Sequence, residues 1–218
     1  MRSIAIVCGI VALVVCSFAL EYRDFIDNKD SISLDIHMKV SHQTATFVEQ
    51  YLSPVVDQLL PHNDINFTRT IPHITLYMTM FKKENIDNLL VAFQRTAKAL
   101  LETYPDCNLT MMKAAASGEY YLWHSNIPPC LQSMSDSFVN SLSQYRDLNQ
   151  KIPKWLDEMP EPQRSEMIKL QTLYGSPVVM SYFDPHVTVA WDDQESMAPL
   201  DKLEFPLYNM TTGDPYKV

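Results

Sequence analysis

Near its start the chain alternates Ile32, Leu34, Ile36, Met38 and Val40 with Ser33, Asp35, His37 and Lys39. Such alternation predicts a β-strand with one face on a core and the other in solvent, which gives His37 a solvated place. The period then lengthens. Phe47, Val48, Tyr51, Leu52, Val55, Val56, Leu59 and Leu60 recur at three and four, a helical stripe that Pro54 kinks or restarts with Ser53 as its cap. A strand over 70–80 comes next. It is followed by the cleanest helical stripe of the chain, Ile86, Leu89, Leu90, Phe93, Ala97, Leu100 and Leu101. Segments 109–116 and 119–124 read as a hairpin around Ser117-Gly118. Pro128 opens a further helix that carries Leu131, Met134, Phe138, Leu142 and Tyr145.

The pattern breaks between 147 and 177. Pro153, Pro160, Pro162 and Pro177 punctuate a charged stretch with a short helical pattern over 167–173, so this is an insertion, either a flap over a cleft or an inert excursion. A strand from Val178 or Ser181 to Trp191 follows, and Leu203, Phe205 and Leu207 allow one more. Strand, helix, strand, helix is thus succeeded by strands, helix, insertion and strand. This crude repeat predicts one two-lobed α+β unit, with lobes roughly 30–105 and 106–210 and the insertion at 147–177.

Composition changes that picture in two ways. With 46% hydrophobic residues among 218, the chain can bury a core of its own, while a net charge of -9 excludes the broad basic footprint that duplex DNA requires. A narrow cleft for one or a few phosphates remains open. Arg2, an apolar run over 4–15, and the small residues Ser17 and Ala19 predict a secretory signal, 1–19, cleaved after Ala19. The alternative is an uncleaved anchor, for which the run is short. Cleavage leaves one mature domain, 20–218, secreted or in the secretory lumen, without membrane contact and expected to be monomeric.

It also removes Cys8 and Cys16. Cys107 and Cys130 then form a disulfide in an oxidising compartment, the alternative being two buried thiols. The sequons at Asn66, Asn108 and Asn209 become credible glycosylation sites in the same setting.

Two of the expected strands carry the same text. His73-Ile74-Thr75-Leu76 follows Pro72, and His186-Val187-Thr188-Val189 follows Pro185. Residues two apart on a strand share a face, so His73 lies with Thr75 and His186 with Thr188, while the aliphatic residues point to a core. If the repeated lobes face each other, two imidazoles and two hydroxyls converge on one cleft.

Phosphodiester cleavage needs a proton removed from the attacking oxygen and another given to the leaving oxygen. Imidazole, titrating near 6.5, does both at neutral pH. Threonine hydroxyls can donate to phosphoryl oxygens as charge builds there. Nothing in this set demands a metal or cofactor. A lone His-x-Thr on a strand would ordinarily be structural; the duplication is what makes it a candidate site.

This pair of motifs resembles the 2H phosphoesterase superfamily, which includes the LigT-like 2'-5' RNA ligases and the 2',3'-cyclic nucleotide phosphodiesterases. The order of elements fits over most of 30–210. The resemblance implies a bilobal fold with two small antiparallel sheets flanking a central cleft and helices outside. It also implies metal-independent cleavage of 2',3'-cyclic or 2'-5' phosphodiester bonds in a small nucleotide or a single-stranded RNA end, with His73 and His186 catalytic and Thr75 and Thr188 binding phosphate.

Several neighbours are weaker candidates. Tyr77, Tyr182 and Phe183 either line the cleft or pack as ordinary aromatics. Asp184 either orients the His186 ring or caps a turn before Pro185, and His124 reads as structural or exposed. A zinc hydrolase would show a His-Glu-x-x-His or a close His/Cys cluster, and a serine hydrolase a Gly-x-Ser-x-Gly elbow; neither is present. The rival of another class is a secreted nucleotide- or phosphate-binding module that keeps the fold without the reaction.

Overall fold

The structure, a computed structural model, describes residues 18–22, 30–60, 63, 65, 71–192, 197–203 and 208–211. Within them β1 (Phe18–Tyr22), β2 (Ser31–Lys39) and β3 (His73–Lys82) form one antiparallel sheet in the order β1-β2-β3. A second antiparallel sheet, ordered β6-β5-β4-β7, comprises β4 (Asn108–Ser117), β5 (Tyr120–Ser125), β6 (His186–Trp191) and β7 (Tyr208–Thr211). The α+β class with two small antiparallel sheets is the one expected. β3 and β6 are edge strands of their sheets, and their Cα atoms approach within 8 Å of each other.

β2 passes to β3 through helix α1 (His42–Thr46), a wide π-type stretch at Phe47–Leu52 and helix α2 (Ser53–Leu59). Pro54 falls in the first turn of α2, but the cap position is Leu52, itself helical and without a side-chain cap bond. Ser53 lies inside the helix with its N–H on the Val48 carbonyl, so it does not cap the run, and Pro54 marks a change of pitch within it. Ser41 caps α1 by accepting from the Thr44 amide at 3.3 Å.

Helix α3 (Ile86–Thr103) buries Leu89, Ala92, Phe93 and Leu100 against α4 (Pro129–Leu142), where the Phe93 and Phe138 rings lie 5.6 Å apart. Each large apolar side chain buried this way contributes roughly 1.5–3 kcal/mol. The buried Ser135 hydroxyl donates to the Leu76 carbonyl at 2.7 Å, tying α4 to the core face of β3. Ile74 and Leu76 lie on that face with under 2% exposure, as the motif pattern requires.

The disulfide Cys107–Cys130 is present and joins the entry to β4 with the first turn of α4. No helix among the described residues is long and apolar enough to cross a membrane.

Four features differ from the pattern-based expectations. The polar face of β2 is not solvated: Ser31, Ser33, Asp35 and His37 are all buried, because other polar groups of the fold close over it. The second motif strand begins at His186, not at 178 or 181. Val179 and Phe183 are both buried, but the Tyr182 and Phe183 amides bond back to the Val179 and Met180 carbonyls. The chain therefore turns through Met180–Tyr182, with Met180 at φ 55°, and does not pair as a strand there. The last strand is Tyr208–Thr211, beyond Leu203, while 204–207 lie outside the described residues. Finally, β1 uses Phe18 and Ala19, which pair with Met38 and His37, so the strand spans the expected cleavage point. The rest of the signal, 1–17, lies outside the described residues, as does Asn66.

The insertion is anchored, not adrift. Its helix α5 (Gln163–Tyr174) ends at Gly175 in the left-handed region, φ 77°, and the Tyr174 and Gly175 carbonyls accept from Tyr77 and Thr79 on β3. The β2–β3 register shifts between Ile36 and His37, so Tyr77 and Thr79 lie opposite Ile36 and Leu34 on the core face, while His73 and Thr75 lie opposite Lys39 and His37. The segment is held to the core side of β3 and not to the motif face that simple alternation gives Tyr77.

Candidate active site

The two motifs are built by the same local device. The His73 Nδ1 lies 2.7 Å from the Ile71 carbonyl, and the His186 Nδ1 lies 2.7 Å from the Asp184 carbonyl. In both cases a proline sits between, its fixed φ holding the chain extended so that the carbonyl two residues back meets the ring. The proline carbonyls are matched as well: Pro72 accepts from the Val40 amide at 3.5 Å and Pro185 from the Ser125 amide at 2.9 Å, each donor just past or at the end of the neighbouring strand. A carbonyl oxygen only accepts. Each Nδ1 therefore carries a hydrogen, which leaves Nε2 as the nitrogen at which either ring gains or loses a proton.

Around this common frame the lobes differ. In the first, Asp35 on β2 places one carboxylate oxygen, Oδ2, 3.2 Å from the His73 Nε2 and 3.0 Å from the Thr75 hydroxyl, which donates to it. His37, opposite Thr75 in the register, packs on His73 with ring centroids 4.2 Å apart. Asp35 is 0% and His73 8% exposed, so this cluster is withdrawn from water.

In the second lobe His124 on β5 pairs with His186, ring centroids 5.8 Å apart, and its Nδ1 donates to the Asp184 carboxylate at 3.0 Å. That bond, ahead of the charges of His124 and His186, holds the Asp184 carboxyl below its usual range. Asp184 does orient the His186 ring, but through its main-chain carbonyl, while its carboxylate is taken by His124.

His186 and Thr188 are half-buried on one face of β6. Burial pushes the His186 imidazole below its ordinary 6.5; the bond to the Asp184 carbonyl and the Asp184 charge oppose this, while His124 and His73 add to it. The influence of His73 on His186 means that the two motif imidazoles, remote in sequence, lie within electrostatic range of one another.

The flanking aromatics divide. Phe183 packs in the core at 5% exposure, and Tyr77 lies at 1% beneath the insertion with its hydroxyl donated to Tyr174, so neither presents a ring to an open cleft; burial fills both positions. Tyr182 stays half-exposed beside the second motif. Asn108 is exposed, as a glycan site must be, and Asn209 falls on β7.

Two Asp-His-His sets, Asp35 with His37 and His73 and Asp184 with His124 and His186, each bring ligand-capable atoms within 4.8 Å of one another. As arranged, the first offers a cation little: the His73 Nδ1–H is donated to Ile71, and a proton lies between Nε2 and Asp35.

Asp35, His37 and His124 were not marked as site residues by their sequence. The available signal was the i, i+2 spacing of Asp35 and His37, which puts them on one face of β2; the pairing of β2 with β3 that turns this face toward His73 is a tertiary fact.

No protein-family model matches this chain, and no curated protein or solved structure matches it. What the chain does has to be read from its own residues.

Proposed function

We propose that this protein is a secreted phosphodiesterase of the two-histidine type, cleaving 2',3'-cyclic or 2'-5' phosphodiester bonds of a small nucleotide or RNA end without a metal. One observation carries the reading: His73 and His186 are held by the same Nδ1-to-carbonyl bond, at 2.7 Å in each, on edge strands that approach each other. Two imidazoles with Nε2 as the exchanging atom provide one proton acceptor and one proton donor, which is what displacement at a phosphodiester requires. Thr188, on the His186 face, can donate to a phosphoryl oxygen as negative charge builds. Secretion is supported by the disulfide and the sequons, all of which belong to an oxidising route.

The test is a panel of substrates, comprising a 2',3'-cyclic mononucleotide, an RNA ending in a cyclic phosphate, a 2'-5' oligomer and an ADP-ribose cyclic phosphate, given to purified protein. At least one is turned over, and His73→Ala or His186→Ala lowers that turnover by about 10²- to 10⁴-fold with the fold intact by circular dichroism. Unchanged rates in both variants reject the assignment. Turnover also survives EDTA; loss with EDTA and rescue by zinc would favour a metal enzyme built on the Asp-His-His sets.

A further inference from the structure

We propose that Asp35 is a positioning residue for the reaction inferred above: by accepting from the His73 ring and the Thr75 hydroxyl on one oxygen, it keeps His73 protonated and makes it the proton donor, leaving His186 the acceptor. This rests on the phosphodiesterase reading for its chemistry, but on its own geometry for the state of the ring. His73 sits between two acceptors, the Ile71 carbonyl at 2.7 Å from Nδ1 and the Asp35 Oδ2 at 3.2 Å from Nε2. The first requires a hydrogen on Nδ1. Across the second lies a single proton, which belongs to the ring or to the carboxyl. The Thr75 hydroxyl decides between them, because its donation to the same Oδ2 at 3.0 Å favours the ionised carboxylate and so the imidazolium. Burial acts against both charges, so the ionised pair depends on the attraction between the two groups at 3.2 Å and on the Thr75 donation to the same oxygen.

The second lobe is built otherwise. By register β5 sets Leu122, opposite Thr188, where β2 has His37 opposite Thr75, and Tyr120, opposite Trp191, where β2 has Asp35 opposite Met78, so no carboxylate takes the place of Asp35. The carboxylate of Asp184 is taken by His124 and stands 4.0 Å from the His186 Nδ1, on the side of the ring away from Nε2. The two halves of a duplicated site have thereby acquired different charge.

Besides Asp35, His73 faces His37, which packs on it, Lys39, which is opposite it in the β2–β3 register, and His186 across on β6. All three are bases whose charged forms oppose a charged ring. Removing the Asp35 charge leaves them to drive His73 neutral.

The step then balances. The His186 Nε2 takes a proton from water as its oxygen bonds to phosphorus, the P–O bond to the ribose oxygen breaks, and that oxygen takes the Nε2 proton of His73. His186 ends charged and His73 neutral, and proton exchange with solvent restores them. At 3.2 Å the Asp35 contact is longer than the 2.7–2.9 Å of a tight charge-assisted bond, so the proton is stored but can be redirected.

The experiment is an NMR titration of the imidazoles in wild type and Asp35→Asn, with His73→Gln to assign the His73 signals, alongside pH–rate profiles of both active proteins. The wild-type His73 ring is expected to remain protonated above pH 7. In Asp35→Asn it should lose its proton about one to three pH units lower, and the alkaline limb of the rate profile should move by the same amount while the acid limb stays. A neutral His73 ring at pH 7 in the wild type, or an alkaline limb that does not move in Asp35→Asn, overturns the proposal. Should the variant fail to fold, the wild-type titration still decides. A charged ring in a wild type that cleaves no member of the panel removes the phosphodiesterase reading and retains the Asp35 pairing.

Discussion

His186 is the more exposed of the two motif histidines, 27% against 8% for His73, and even so its basicity falls, through loss of solvation ahead of any other cause. The sign of the effect is fixed. An unfolded chain protonates this ring near pH 6.5, whereas the folded chain resists, so the unfolded state binds more protons just below that pH and stability drops as pH falls through 6.5. A catalytic base has to be neutral, so the acid limb of the rate profile should have its midpoint below 6.5 and track the His186 ring signal in an NMR titration. A midpoint above 6.5 would remove His186 from the base role. On the same face, Thr188→Ala should lower turnover by about 10²-fold with little change in melting temperature, the loss expected for one donor to a developing oxyanion. The four motif residues were legible because strand period and spacing alone put each His with its Thr. Asp35 was not: an acidic residue on the polar face of an alternating strand is ordinarily solvated, and only the fold reveals that this face is covered.

Elements were legible where a single period ran long enough. The α3 stripe and the β2 alternation appear almost as the pattern placed them, because side chains separated by three and four, or by two, bury together whatever lies beyond. The start of β6 was not, since buried residues four apart, Val179 and Phe183, suit a strand as well as the turn through Met180–Tyr182 that the backbone bonds actually close. Gly175 marks a tertiary demand. It is left-handed, and a Cβ there would collide with the Thr79 hydroxyl and stand 2.7 Å from the Gln150 Nε2. Gly175→Ala should therefore cost about 2 kcal/mol or more from backbone strain and overpacking, and should loosen the 147–177 segment from β3. Thermal melts and hydrogen exchange at Tyr174 and Gly175 check both parts; wild-type exchange there would show that the anchoring is incidental. In the second lobe the Cys107–Cys130 bond closes a loop with sequence separation 23, so replacing both cysteines by serine should reduce stability by roughly 3 kcal/mol, read from urea midpoints.

At the scale of the molecule, the two sheets make a single instrument only if both motifs work on the same phosphate. Sequence alone could show a duplication; it could not show that β3 and β6 are edge strands brought together, because no local pattern states which sheet edge faces which. That convergence has a kinetic consequence. If His73 gives a proton in the same step in which His186 takes one, removing either leaves the other without a partner reaction, and the second removal has little left to destroy. His73→Ala with His186→Ala should then turn over substrate no more than about tenfold slower than the worse single variant, as groups that act as a unit do. Were each lobe an independent site, two single losses of about 10²- to 10⁴-fold would instead multiply. Steady-state rates of the four proteins on the best substrate of the panel, each checked by its melting curve, separate the cases. Multiplicative loss would mean that the motifs are repeated without being joined, and the duplication would then need a different explanation from a shared bond-breaking step.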